Sequence, residues 1–287
     1  MIKTAHMRLI IPCIIAIGFY NCGNQQTAGN SLTPKEISKL KLKEISGLEY
    51  VNNTLWGIED SGNENALYKI DPQTGTHTAY VVDAPNTDWE DITADTQGNL
   101  YIADTGNNDN DRRNLSIIKV NPQDPSKVVQ TTTFYYPEQK DFPAKKADRN
   151  FDCEGMLEHN GYFYLFSKNR CFNSDGTVLI HKVPNKPGNF AAEKVGSFIS
   201  CDNFRRCAIA GADISPDGKT VALISGDKLW LITNFTGDDF AKGTLTPYDL
   251  GEVTQKESVC FTDNKTLYIA DEKSKKEGGK LYTITLK

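Results

Sequence analysis

The chain of 287 residues is poor in histidine, has no basic run beyond its N-terminus and contains no Gly-x-Ser-x-Gly elbow. Each shortage excludes something. With four His in all, and His77, His159 and His181 falling at expected blade edges or turns, a Ser-His-Asp triad has no base to use. A net charge of −5 without a cationic stripe excludes a nucleic-acid binder. Lys145, Lys146, Lys275 and Lys276 read as solvated loop residues. No segment after residue 20 is apolar enough to cross a bilayer. The five Cys that follow Cys22 have spacings that fit no zinc template. Cys201 and Cys207 bracket a short loop and are the expected disulfide of an oxidising compartment; an odd count leaves a free thiol among Cys153, Cys171 and Cys260.

What the N-terminus does have is an export signal. Lys3 and Arg8 precede an apolar run from Leu9 to Tyr20, too short for a membrane span and right for a signal-peptide core. The run ends at Phe19-Tyr20-Asn21-Cys22, which resembles a bacterial lipobox, with Asn21 and Phe19 departing from its usual residues. The expected organisation is a signal peptide over 1–21, a lipidated Cys22 with a polar tether over 22–34, and a folded domain over 35–287. The protein is then exported and lipid-anchored in the cell envelope, touching the membrane only through its anchor.

The folded part is repetitive. Leu-Tyr-Ile-Ala-Asp occurs at 100–104 and at 267–271, and ten residues before each Leu stands a Glu, Glu90 or Glu257. Three further segments share the frame, opened by Ser46, Glu154 and Ala212. Apolar residues recur two positions after each opener (Leu48, Ile92, Met156, Ile214, Val259) and twelve after (Ile58, Ile102, Phe166, Ile224, Ile269). Turn signals such as Asn52-Asn53 and Asn160-Gly161 divide each unit, and third and fourth strands follow. Only the fifth unit lacks a fourth strand, and Lys35–Leu42 can supply it. These features predict an all-β, five-bladed β-propeller closed by an N-terminal outer strand, a monomer without a free sheet edge. A sixth blade hidden in residues 137–152 or 198–209 is the alternative.

The first strand of each blade lines the channel of a propeller, so the openers form a ring: Ser46, Glu90, Glu154, Ala212 and Glu257. Three carboxylates around one narrow channel repel, and a hard cation with six to eight oxygen ligands relieves them; Ca²⁺ is the expected cofactor. The alternative is that these Glu accept neighbouring backbone amides and lock the blades. A second repeated position, at the end of strand two, carries Asp60, Asp104, Lys168, Gly226 and Asp271. With Asn63, Asn107, Asn108, Arg113, Arg170 and Asp227 in the loops beyond it, this position predicts a mixed-charge mouth for a small polar or anionic ligand.

The ring order Ser, Glu, Glu, small residue, Glu, with Ser46-Gly47-Leu48 and Glu257-Ser258, resembles the calcium-activated nucleotidase (apyrase) family. That resemblance implies an axial Ca²⁺ held by Ser46, Glu90, Glu154 and Glu257; Ala212 stands where the family has Ser and offers only its carbonyl. Asp88-Trp89-Glu90-Asp91-Ile92, Ala103-Asp104-Thr105-Gly106-Asn107-Asn108 and Gly211 to Gly218 are similar to a group of exported bacterial propellers, the SdiA-regulated and esterase-like phytase groups. The residues support two functions. One is a metal-dependent hydrolase of a phosphate or carboxylic ester, with Asp104 or Asp271 as base and Lys168 or Arg113 steadying developing charge. The other is a binding or assembly module whose metal is structural.

Overall fold

The computed structural model describes residues 29–121, 123–274 and 278–287. The expected signal peptide, Cys22, Lys275 and Lys276 lie outside the described residues. Five antiparallel sheets of four consecutive positions each form the blades. Blade 1 is β2 (Ile45–Val51), β3 (Thr54–Glu59), β4 (Ala66–Ile70) and β5 (His77–Val81). Blade 2 is β6 (Trp89–Ala94), β7 (Leu100–Asp104), β8 (Leu115–Asn121) and β9 (Asp124–Tyr135). Blade 3 is β10 (Cys153–His159), β11 (Tyr162–Ser167), β12 (Thr177–Pro184) and β14 (Glu193–Ile199). Between the last two runs β13 (Gly188–Ala191), which pairs parallel with β9 and gives blade 2 a fifth strand that the repeat did not announce. Blade 4 is β15 (Gly211–Ile214), β16 (Val221–Ser225), β17 (Lys228–Thr233) and β18 (Thr244–Asp249). Blade 5 is β19 (Lys256–Phe261), β20 (Thr266–Asp271) and β21 (Lys280–Thr285), completed by β1 (Lys35–Lys39).

The first strand of the described residues therefore closes the last blade, and the fold is the five-bladed propeller. Neither insert holds a sixth blade. Residues 137–152 run as turns, and residues 200–210 hold one short helix, α1 (Phe204–Cys207), stapled by the Cys201–Cys207 disulfide. Cys153 and Cys260 are buried free thiols, and Cys171 is half-buried. Part of the stretch expected as a tether, 22–34, meets the folded domain. Leu32 and Asn30 exchange backbone hydrogen bonds with Asp249, and Leu32 packs on the core between blades 4 and 5. Among the described residues no helix is long and apolar enough to cross a membrane.

Burial explains the apolar frame. Leu48, Ile92, Met156 and Val259 each enter a different core between adjacent blades. The residues just before Leu48, Met156 and Val259 are small, Gly47, Gly155 and Ser258, where the blades converge. A Cβ on Gly47 would lie 2.8 Å from the Ile92 amide, and one on Gly211 would lie 2.7 Å from the Glu257 carbonyl. These close approaches fix which residues share a level of the channel: Gly47, Asp91, Gly155, Gly211 and Ser258.

That level corrects the frame in blade 4. Gly211 pairs with Ile224, as Gly47 pairs with Ile58 and Gly155 with Phe166. The ring position before it is Ala210, not Ala212. Ala212 packs between blades 3 and 4, which is the second apolar position that Ile214 was expected to fill. The cause is turn length. His159 pairs with Tyr162 across a two-residue turn, whereas Ile214 pairs with Val221, with Ser215 and Thr220 bonded inside it. Counting back a constant distance from strand two stops two residues short and keeps the alternation intact.

Candidate metal centre at the channel mouth

Four ring residues share a local device. The pairing of strands one and two skips Ser46, Glu90, Glu154 and Glu257, each the extra residue of a β-bulge. A bulge leaves its residue unpaired and re-aims its side chain. The chain thus delivers a hydroxyl and three carboxylates to the top of the channel, all buried or nearly so: Ser46 is 3% exposed, Glu90 6% and Glu154 3%.

Two residues before each ring Glu of blades 2 and 3 stands another acid, Asp88 and Asp152. Both belong to the site. Carboxylate oxygens of Asp60, Asp88 and Glu90 all lie within 4.8 Å of one another, as do those of Glu90, Asp152 and Glu154. Glu90 is common to both groups. Its bay is kept open by Gly106, where a Cβ would stand 2.2 Å from Glu90 Oε1 and 2.4 Å from Asp88 Oδ2. Asn86 fixes the neighbouring turn by donating to the carbonyls of Glu59 and Asp60, both at 3.0 Å.

Cations serve only part of this acid. Lys168 donates to Glu154 Oε2 at 2.8 Å and lies 3.6 Å from Glu257 Oε2. Arg170 spans Asp152 and Glu154, both at 2.6 Å. Burial would raise Glu154, but Lys168 and Arg170 outweigh it and hold its carboxyl below the ordinary value. Asp152 goes the other way, pushed up to about 7 by burial and by Glu154 against the pull of Arg170. Glu257 also rises to about 7, by burial opposed by Lys168. Glu90 is raised well above the usual range by burial and by Glu154, Asp152, Asp60 and Asp88. Asp60 is raised to about 6, chiefly by burial. Among the described residues no ion pair reaches Asp60, Asp88 or Glu90, and no hydrogen bond reaches the Glu90 carboxylate. The Ser46 hydroxyl is likewise buried without a partner.

Several expected mouth residues are elsewhere. Asp104 pairs with Trp89 and Asp271 with Lys256, the places that Glu59 and Ser167 hold in blades 1 and 3. The inner turns of blades 2 and 5 are one residue longer, Ala94 to Leu100 and Phe261 to Leu267, and a shift of one turns a strand side chain to the opposite face. Asp104 is consequently a loop lock, accepting from the Asp88 amide at 3.0 Å and from Arg112 at 2.9 Å. Asp271 accepts from the Lys280 amide and the Tyr282 hydroxyl. Glu272 takes the mouth position in blade 5, bonded to the Gln255 carbonyl as Lys168 is to that of Asp152. Burial and then Glu257 push it up to about 8.

Arg113 stacks over Phe142, 3.6 Å from the ring centre, and lines a separate groove. Asn107 is buried and ties its loop to Asp152 and Phe151, and Asn63 bonds Glu44 and the Asp60 carbonyl. Asp227 anchors Arg206 of α1, and Asn108 is exposed. Of the residues expected at the ring and mouth, the structure gathers Ser46, Asp60, Glu90, Glu154, Lys168, Arg170 and Glu257. A cavity of about 480 Å³ opens beside them, lined by Lys168, Arg170, Phe204, Arg205, Glu257 and Glu272 among others.

Fold and site together define a five-bladed β-propeller with a buried acidic cluster, able to hold a metal ion, beside a cation-lined cavity. No known family model matches the chain, and no curated protein matches it. Among solved structures it is similar to the PQQ-bound aldose sugar dehydrogenase of Streptomyces coelicolor, with TM-score 0.51, 12% identity, and 88% of this chain and 96% of that one covered. It is also similar to a gluconolactonase of Xanthomonas campestris (TM-score 0.47, 10% identity, 90% and 96% covered). Virginiamycin B lyase of Staphylococcus aureus is a third (TM-score 0.42, 12% identity, 84% and 82% covered). At these identities the likeness is one of fold.

Proposed function

We propose that this protein is a divalent-cation-dependent hydrolase of small anionic esters, working at the channel mouth. One observation carries the reading: Glu90 is buried among four carboxylates with no ion pair or hydrogen-bond donor of its own, and two of them, Asp152 and Glu154, are held by Lys168 and Arg170, which line a cavity. All-oxygen ligands suit a hard cation, and Ca²⁺, with its tolerant geometry, is the cofactor we assign. Asp60, Asp88, Glu90 and Glu154 are the residues that would hold such a cation, which would supply polarisation of a phosphoryl or carbonyl oxygen. Lys168 and Arg170 then orient the anionic part of the substrate and steady charge as it develops. Glu257, pushed up to about 7 on the cavity wall, replaces Asp104 and Asp271 as the candidate general base.

The test is elemental analysis of calcium-soaked protein, followed by a panel of nucleotides, other phosphoesters, lactones and carboxylic esters with and without EDTA. Nucleotides belong in it because the ring order resembles the calcium-activated nucleotidases. The expected result is EDTA-sensitive turnover that Lys168→Met lowers by at least about tenfold in kcat/KM. Bound calcium with no turnover of any member selects the non-catalytic binding module instead. We also propose export and lipid anchoring through Cys22; Cys22→Ser should release the protein from the membrane fraction or block its maturation, and unchanged fractionation refutes the anchor.

A further inference from the structure

The pseudo-fivefold arrangement of the blades invites a metal on the propeller axis, shared by the whole ring. The charges do not support that. Blade 4 contributes only Ala210 to the ring, and the ammonium of Lys168 reaches Glu154 on one side of it and Glu257 on the other. Arg170 adds a second positive charge at Glu154 and Asp152. A divalent ion in this half would sit against two fixed cations. The half formed by blades 1 and 2 is the reverse: Asp60, Asp88 and Glu90 converge within 4.8 Å and no side-chain cation pairs with any of them among the described residues.

A cluster of acids alone would not make a site, since exposed carboxylates gather without ions. Two further facts distinguish this one. The Ser46 hydroxyl, 3% exposed, has no hydrogen-bond partner and takes on blade 1 the bulged position that Glu90 takes on blade 2. The two blades are in contact at that level, where a Cβ on Gly47 would lie 3.0 Å from Asp91 Cα. Leaving a buried hydroxyl without a partner is unfavourable, and a hard cation accepts its lone pair. Gly106, for its part, leaves open a space that any side chain would fill against Glu90 and Asp88.

We propose that the protein binds its hard divalent cation off the axis, between blades 1 and 2, on Asp60, Asp88, Glu90 and the Ser46 hydroxyl, while Lys168 holds the opposite half of the ring. The inference rests on the hydrolase reading for its purpose but not for its test. It divides the mouth into a metal side and an ammonium–guanidinium side, so the preferred ligand is one that presents an anionic oxygen to each, such as a phosphate ester or a carboxylate-bearing ester.

Calcium titration by calorimetry on the mature protein decides it, with melts in EDTA confirming that each variant is folded. Asp60→Asn and Asp88→Asn should each weaken Ca²⁺ binding by at least about tenfold. Ser46→Ala should weaken it measurably, and Glu257→Gln should leave it within about twofold, because Lys168 already faces that carboxylate. If Glu257→Gln weakens binding as much as Asp60→Asn, or if neither Asp variant weakens it, the off-axis site is wrong. Turnover is read on the same samples. Off-axis binding without hydrolysis overturns the hydrolase and keeps the site; hydrolysis whose calcium depends on Glu257 keeps the hydrolase and overturns the site.

Discussion

Glu90 and Asp91 are neighbours in sequence, both buried and both acidic, and the molecule uses them in opposite ways. Asp91 is 0% exposed and accepts three backbone amides, from Ile92 at 2.9 Å, Met156 at 2.8 Å and Ala212 at 3.1 Å. Those donors come from blades 2, 3 and 4, so one side chain ties three blades across the channel. Burial pushes its carboxyl up while the amides pull against that. Asp213 repeats the device between blades 4 and 5, accepting from Ile214 and Phe261. One level higher, Glu90 accepts nothing and faces Asp60, Asp88, Asp152 and Glu154. Burial of an acid is therefore no guide to its role here; the number of donors it meets is. The lower level is a lock that the chain completes by itself; the upper level leaves Glu90 without a donor, in a cluster able to hold a metal ion.

Removing the lock should have the larger effect. Asp91→Ala strands three buried amides, each at a cost of about 1–3 kcal/mol. The expected outcome is a fall in melting temperature on the order of 10 °C, or failure to fold, with or without calcium. A melt within about 2 °C of the parent would show that Asp91 locks nothing.

Glu90→Gln should behave in the opposite sense. It removes one charge from a crowded acid cluster and breaks no hydrogen bond. In EDTA the variant should melt at or slightly above the parent temperature, while the stabilisation that calcium gives the parent disappears. Should it melt well below the parent in EDTA, Glu90 is a second lock and the contrast between the two levels collapses.

Much of this contrast is legible in the sequence. The repeat implies five blades and their closure because strand period, turn residues and apolar positions all act locally. Ser46, Glu90, Glu154 and Glu257 are legible as a ring for the same reason. Ala210 and Glu272 are not, because a constant count cannot see that inner turns run from two to four residues, and each extra residue moves or flips the side chains beyond it. Asp88 and Asp152 are within reach, since Asp-x-Glu stands in blade 2 and again in blade 3, one step outside the repeat frame. The pairing of Lys168 and Arg170 with Glu154, and the three amides on Asp91, join residues distant in sequence. No single-chain pattern carries them.

The smallest effect is a pH dependence that the two levels share. Glu257 and Asp213 are held at about 7 and Glu272 at about 8, each chiefly by burial. Unfolded, these acids return to ordinary values near 4. A raised folded value means that the folded state binds more protons, so their contribution is complete at low pH and is lost as pH rises through the folded value. Buried His181, lowered to about 4, and His159, also lowered by burial, act in the other direction, but only below about 6.5, where an unfolded His takes up its proton. The carboxyls held low at surface turns, such as Asp71 and Asp263, titrate below the window altogether. Between about pH 6.5 and 8.5 the raised acids stand alone. In EDTA the melting temperature should fall steadily across that interval. With saturating calcium the slope should flatten in part, since the ion favours the ionised forms of Asp60 and Glu90, both raised by burial, and its binding releases their protons. A slope that is the same with and without calcium would place Asp60 and Glu90 outside the reach of a metal and leave Glu257, Glu272 and Asp213 as its source.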